Sequence, residues 1–210
     1  MLFIRLYSWW RSALIALLYG RGAAEDLRRR TEAHETGHAL AAWFSPNVFQ
    51  VNHIRITGPD SGSVSHVIIE HPDGNDRHED VLWDVLVISL AGMAADWCCY
   101  RQTMPTRAYA VDLRHALERA EAIRRLGAAE LGRRQARHSP GGGIPASKLF
   151  DPPLDRLTAE IIDVGFQEAR QVILDHRAEF TRLWNALRGR FEMRAGEIAS
   201  HFGPRFWAPK

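Results

Sequence analysis

Apolar and polar positions along the chain alternate in blocks that predict helices more often than strands. From Ala23 to Phe44 the apolar residues Ala33, Leu40, Ala41 and Phe44 recur at helical spacing, and Ser45-Pro46-Asn47 ends the run. Within it, Thr31 and Glu32 stand where an N-cap and a first-turn acid would. Residues 50–57 and 63–69 are short and rich in β-branched residues. They read as two strands joined by Gly58-Pro59-Asp60-Ser61-Gly62. From Glu79 to Tyr100 the spacing of Val81, Leu82, Val85, Ile88, Leu90 and Ala91 predicts a long helix, whose Gly92 and alanines imply close packing on another helix. A further helix begins near Asp112. Residues 127–153, with Gly141-Gly142-Gly143, read as a surface loop, and helices over 154–188 and 193–202 close the chain. The expected fold class is mainly α with a small β-sheet (α+β).

The first 20 residues are apolar but broken by Arg5 and Arg11, so the longest uncharged run is too short to span a bilayer. Leu6, Trp10, Leu14 and Leu17 share one helical face. Two readings stay open for residues 2–19: a helix lying in a membrane interface, or one packed on protein. Gly20 and Gly22 form a hinge behind it. The expected organisation is an N-terminal helix and hinge over 1–22, one domain over 23–203 and a tail over 204–210.

Composition adds exclusions. A net charge of +2 is too small to argue for nucleic acid, and aromatic residues do not interleave with the arginine clusters at 28–30, 124–125 and 133–134. Those clusters read as solvated helix faces. The two cysteines, Cys98 and Cys99, are adjacent in an apolar run. Neighbouring cysteines do not form an unstrained bridge, so reduced thiols and a reducing compartment are expected.

Chemistry concentrates in His34-Glu35-Thr36-Gly37-His38, which reads HExxH. On a helix, residues four apart share a face, so both imidazoles are able to bind one Zn²⁺. Glu35 projects from the neighbouring edge, within reach of a water at the metal but not itself a ligand. Gly37 costs about 1 kcal/mol against alanine inside a helix, which points to a close approach by another backbone. Histidines His53 and His66 fall on strands and read as polar side chains. A catalytic zinc needs a third protein ligand. The extended pattern HExxHxxGxxH is not met, because Ala41 and Phe44 fill its later positions. The carboxylates best placed by sequence are Asp112 and Asp96.

With these residues in view, the chain resembles the zinc peptidase domain of FtsH-type AAA proteases. AHETGHALAAWF (33–44) is similar to that family's HEAGHA helix, and SLAGMAADW (89–97) to its LAGRAAEE helix. YAVDLRHA (109–116) is similar to its GAxxDLxxAT segment. Residues 158–187 and 192–202 resemble its closing helices, so the likeness covers about 31–203. The resemblance implies that Asp112 is the third ligand beside His34 and His38, that Glu35 is the general base, and that one Zn²⁺ is held per chain. Asp96 falls on the family's acidic position, one methylene shorter, and takes a supporting or substrate-side role. Tyr109-Ala110 stands near the family's Gly-Ala, which crowds the approach to Asp112.

The resemblance also implies zinc metalloendopeptidase activity on unfolded or extended polypeptide. Ser63, Val64 and Ser65 are candidates for pairing with the substrate backbone. No Walker A sequence occurs in these residues, so an ATP-driven step is not carried over and hydrolysis without an ATPase of its own is expected. The expected location is cytoplasmic, with a membrane's inner face and a homo-oligomer left open and no nucleic-acid partner. Two alternatives remain: an inactive binding or regulatory protein that keeps the fold, and a purely structural zinc site, for which no fourth ligand is evident.

Overall fold

The computed structural model describes residues 25–47, 50–56, 66–70, 78–101, 109–137, 146–151 and 153–203. The N-terminal stretch 2–19 and its hinge, the strand candidates Ser63, Val64 and Ser65, the triple glycine and the tail 204–210 lie outside them.

The described chain is mainly helical with one small antiparallel sheet. Helix α1 covers 25–44. Strands β1 (Gln50–Arg55) and β2 (His66–Glu70) follow, then α2 (Glu79–Tyr100), α3 (Ala110–Arg125) and the short α4 (Leu131–Gln135). A 3-10 turn (Ala146–Leu149) leads to α5 (Arg156–Asp175), α6 (Arg177–Ala186), β3 (Glu192–Arg194) and α7 (Ala195–Phe202).

Helix α2 is the axis of the core. Every residue from Val81 to Asp96 is buried, so it has no polar face. It is long and apolar enough to cross a membrane by length and composition, yet 89% of its most apolar window is covered by the rest of the fold. Helices α5 and α3 pack against it. The α5 contact is close because Gly165 lies on Leu86, where an added Cβ would come within 2.9 Å of Cγ. Gly37 does the same for α1. A Cβ there would meet the Ala91 carbonyl oxygen at 2.4 Å and the Ala95 Cβ at 2.8 Å. The backbone approach expected of Gly37 is therefore made by α2.

The sheet order is β2-β1-β3, both pairs antiparallel. Ile54 faces Val67 on one side and Met193 on the other. Strand β3 differs from the sequence expectation, which runs a helix through 193–202. Three residues, two of them charged, carry no strand pattern of their own. Pairing to β1 and the bond from Ile56 N–H to the Phe191 carbonyl (2.8 Å) make it a strand. The expected helix over 154–188 is also broken, at His176 (φ −111°, ψ 35°), with neither proline nor glycine at the break. Tertiary contacts set the turn: the His176 ring stacks on Phe44 at 3.5 Å, and Phe180 and Leu183 enter the core beyond it.

Two further expectations on α1 are corrected. Thr31 is not an N-cap. It lies inside the helix, with its hydroxyl donating to the Leu27 carbonyl at 3.0 Å. Nor do Arg28 and Arg29 form a solvated face. They converge on the fully buried Glu32, Arg28 Nε at 3.2 Å from Oε1 and Arg29 Nη1 at 2.6 Å from Oε2. Their guanidinium groups lie over Phe191 and Trp184. Gly189 N–H also donates to Glu32, and Arg28 donates to the Arg190 carbonyl. The cluster fastens α1 to the turn between α6 and β3.

Candidate metal centre

His34 and His38 leave the same face of α1, one turn apart, and turn toward α2. Asp112 enters from the first turn of α3. Among the described residues these three form a group able to hold a metal ion, with donor atoms all within 4.8 Å of one another. His34 Nε2 lies 3.1 Å from His38 Nε2 and 3.0 Å from Asp112 Oδ2, and His38 Nε2 lies 3.6 Å from that same oxygen. Donors on a tetrahedral zinc with bonds of about 2.0–2.2 Å stand roughly 3.3–3.6 Å apart. One separation reaches that range and two fall just short of it, so the donors are close to the arrangement a single small cation needs.

The outer ring atoms are held too. His38 Nδ1 donates to the Ile88 carbonyl at 2.6 Å, and His34 Nδ1 faces Asp96 Oδ2 at 3.4 Å. A proton on each Nδ1 leaves each Nε2 lone pair pointing inward, as a metal requires. Helix α2 makes room for this. A Cβ on Gly92 would stand 2.5 Å from Nε2 of both histidines, so any larger residue would intrude on the donor atoms.

Charge gives a second indication. Burial alone would lower the His34 pKa, but bonds to Asp112 and Asp96 and the field of Glu35 outweigh it and push it up to about 10. His38 is also raised against the opposing effect of burial, chiefly by the Asp112 charge. Burial acts to raise Asp112, yet the two imidazoles hold it well below the usual carboxylate range. Three carboxylates thus surround two imidazoles in a buried place and favour added positive charge. Protons or a divalent cation would each supply it.

Of the residues singled out in the sequence, His34, His38 and Asp112 come together with Asp96 behind His34. Glu35 is buried beside them, 4% exposed, close enough for its charge to act on both imidazoles. His53 lies on β1 and is not part of the group. Sequence reasoning misses what Tyr109 does. The sequence suggests only crowding there, whereas its hydroxyl donates to Asp96 Oδ2 at 2.8 Å. The signal for it is a phenol three residues ahead of a candidate ligand. Cys98 and Cys99 are free thiols whose pKa values burial raises.

A buried pair of imidazoles and a carboxylate on a helical scaffold is the chemistry of a mononuclear metal site. Comparison with known proteins points the same way. The chain is 29% identical over 179 residues to the ATP-dependent zinc metalloprotease FtsH of Methylibium petroleiphilum, covering 78% of this chain and 28% of that one. It is 27% identical over 187 residues to the proteins of that name from Mycobacterium bovis and Mycobacterium tuberculosis, covering 85% of this chain and 23% of each. No family model matches the chain. These similarities relate most of the chain, distantly, to FtsH, and the chain spans about a quarter of the length of those relatives.

Proposed function

We propose that residues 23–203 form a zinc-dependent metallopeptidase domain that hydrolyses peptide bonds in unfolded or extended polypeptide. The observation that carries this reading is the convergence of His34 Nε2, His38 Nε2 and Asp112 Oδ2 within 3.6 Å of one another, with Glu35 on the same helix. Three protein donors among the described residues, rather than four, suit a catalytic zinc with a place left for water. Bound there, zinc would lower the pKa of that water toward about 7 and polarise the scissile carbonyl. His34 and His38 present Nε2, and Asp112 contributes a carboxylate oxygen and a negative charge. Glu35 accepts a proton from the attacking water on its carboxylate and passes it to the leaving amine. The distant similarity to zinc metalloproteases supports the same assignment.

The test is Glu35→Gln, assayed on an unfolded casein substrate with and without chelator. The amide has no basic oxygen to take the proton, so hydrolysis should fall by about 10²–10⁴-fold while zinc content and fold persist. A variant that cleaves at the wild-type rate would overturn the role of Glu35. A wild-type protein that holds zinc but does not cleave would favour a binding protein instead.

A further inference from the structure

Tyr109 is fully buried and opens the segment that carries Asp112. It meets His34 in two ways. Its ring stacks on the imidazole, centroids 5.5 Å apart and planes 21° from parallel. Its hydroxyl donates to Asp96 Oδ2 at 2.8 Å, and that same oxygen faces His34 Nδ1 at 3.4 Å. Asp96 is fully buried, and its other oxygen, Oδ1, has no hydrogen-bond partner among the described residues. The phenol is therefore a main donor available to this carboxylate, and it sets which oxygen is turned toward the imidazole. A histidine side chain is otherwise free to turn about its outer bond and to move its ring proton between nitrogens. Here the ring is held flat by one contact and aligned at its edge by the other.

We propose that Tyr109 is a positioning residue of the metal centre: it acts through Asp96 and by stacking to hold His34 with Nδ1 bearing the proton and Nε2 toward the metal. This rests on the metal-binding reading of the site. A phenol that merely fills space would be replaceable by phenylalanine without any effect on metal affinity. A phenol that orients Asp96 would not, because the ring remains while the hydrogen bond is lost.

The experiment compares wild type, Tyr109→Phe, Asp96→Ala and the double variant. Zinc affinity is read by competition with a chromophoric chelator. The exchange rate of the His34 Nδ1 proton is read by NMR in zinc-free and zinc-loaded protein. Tyr109→Phe should bind zinc about 10–100-fold more weakly, the usual effect of losing an outer partner of a ligating histidine. Its Nδ1 proton should exchange faster. In the Asp96→Ala background the same substitution should add little, since the hydroxyl acts through that carboxylate. Wild-type affinity and exchange in Tyr109→Phe, or effects that simply multiply, would overturn the proposal. If Tyr109→Phe does not fold because the buried Asp96 side chain loses its donor, Tyr109→Phe with Asp96→Asn, compared with Asp96→Asn alone, gives the same decision. A wild-type protein that binds no zinc would overturn the metal reading, and the proton exchange measured without zinc would still decide the role of Tyr109.

Discussion

Helix α1 carries two buried polar clusters less than a turn apart, and they are built on opposite principles. At Glu32 every charge is answered from within the protein: Arg28, Arg29 and the Gly189 amide all donate to one carboxylate. At His34 and His38 the Nδ1 atoms are bonded outward, to Asp96 and Ile88, while the Nε2 atoms face one another and Asp112. Closed bonding of the first kind fastens two elements together. Converging ring nitrogens and a carboxylate, of the second kind, are costly unless protons or a metal cation lie among them. The difference separates a polar core that holds the fold from one that we propose holds a metal ion, although both involve buried, charged residues on the same helix.

Substitutions should separate the two clusters. His38→Ala removes a donor, and we expect zinc content to fall from one per chain to near zero and hydrolysis by at least about 10³-fold, with the helical circular dichroism intact. Full zinc occupancy in this variant would move the metal elsewhere. Glu32→Ala should act on the other side of the comparison. It should cost about 3 kcal/mol of unfolding free energy by denaturant titration, while the folded fraction still binds zinc at wild-type affinity. If instead it weakened zinc binding with stability unchanged, the two clusters would not be separable. Gly92→Ala should share features of both. Its Cβ intrudes on both Nε2 atoms, so zinc affinity should fall by about 10²-fold or more, with a stability loss of about 1–3 kcal/mol from overpacking. A variant with unchanged affinity would show that α2 yields.

An effect confined to one pH range is expected at Asp84, another buried carboxylate with a different balance. Burial pushes its pKa up from 3.8 to about 6, against hydrogen bonds from the Asn47 backbone and side chain, both to Oδ2. A raised carboxylate keeps its proton in the folded state while the unfolded chain has already lost it. Stability from this group is therefore full below about pH 4 and declines as pH rises to about 6, by at most about 3 kcal/mol. Asp84→Asn offers an oxygen to the same two donors without the charge. It should raise Tm above pH 6 and make no difference near pH 4. Equal Tm at both values would mean that Asp84 is stably ionised in the fold.

Much of the fold and of the candidate metal site is legible in the sequence, for physical reasons. The helix carrying His34, Glu35 and His38 has a face that periodicity reveals, and Gly37 marks a close approach that α2 makes. Helix α2 is readable from its unbroken apolar spacing, and Asp112 from its place at the start of a helix. The features that escape are decided by distant contacts. Glu192–Arg194 become a strand because β1 is there to receive them, and the chain turns at His176 because Phe44 stacks on it. Arg28 and Arg29 look like surface charge until Glu32 is seen to be buried between them and the α6–β3 turn. In the same way, Tyr109 has meaning only once Asp96 lies beside it.

Strand β3 has a consequence for when the protein becomes a protein. The sheet joins His53 to Arg194, a separation of about 140 residues (194 minus 53), and the turn at Gly189 closes on Glu32 from a similar distance. The three donors of the candidate metal site lie in the first 112 positions, yet the helix that carries two of them is secured by residues synthesised far later. Contacts of such range are slow to form, because a large loop must close before any of them stabilises the chain. A nascent chain holding every donor atom would therefore still lack these ties to α1 and to the sheet, which the turn at Gly189 and strand β3 supply.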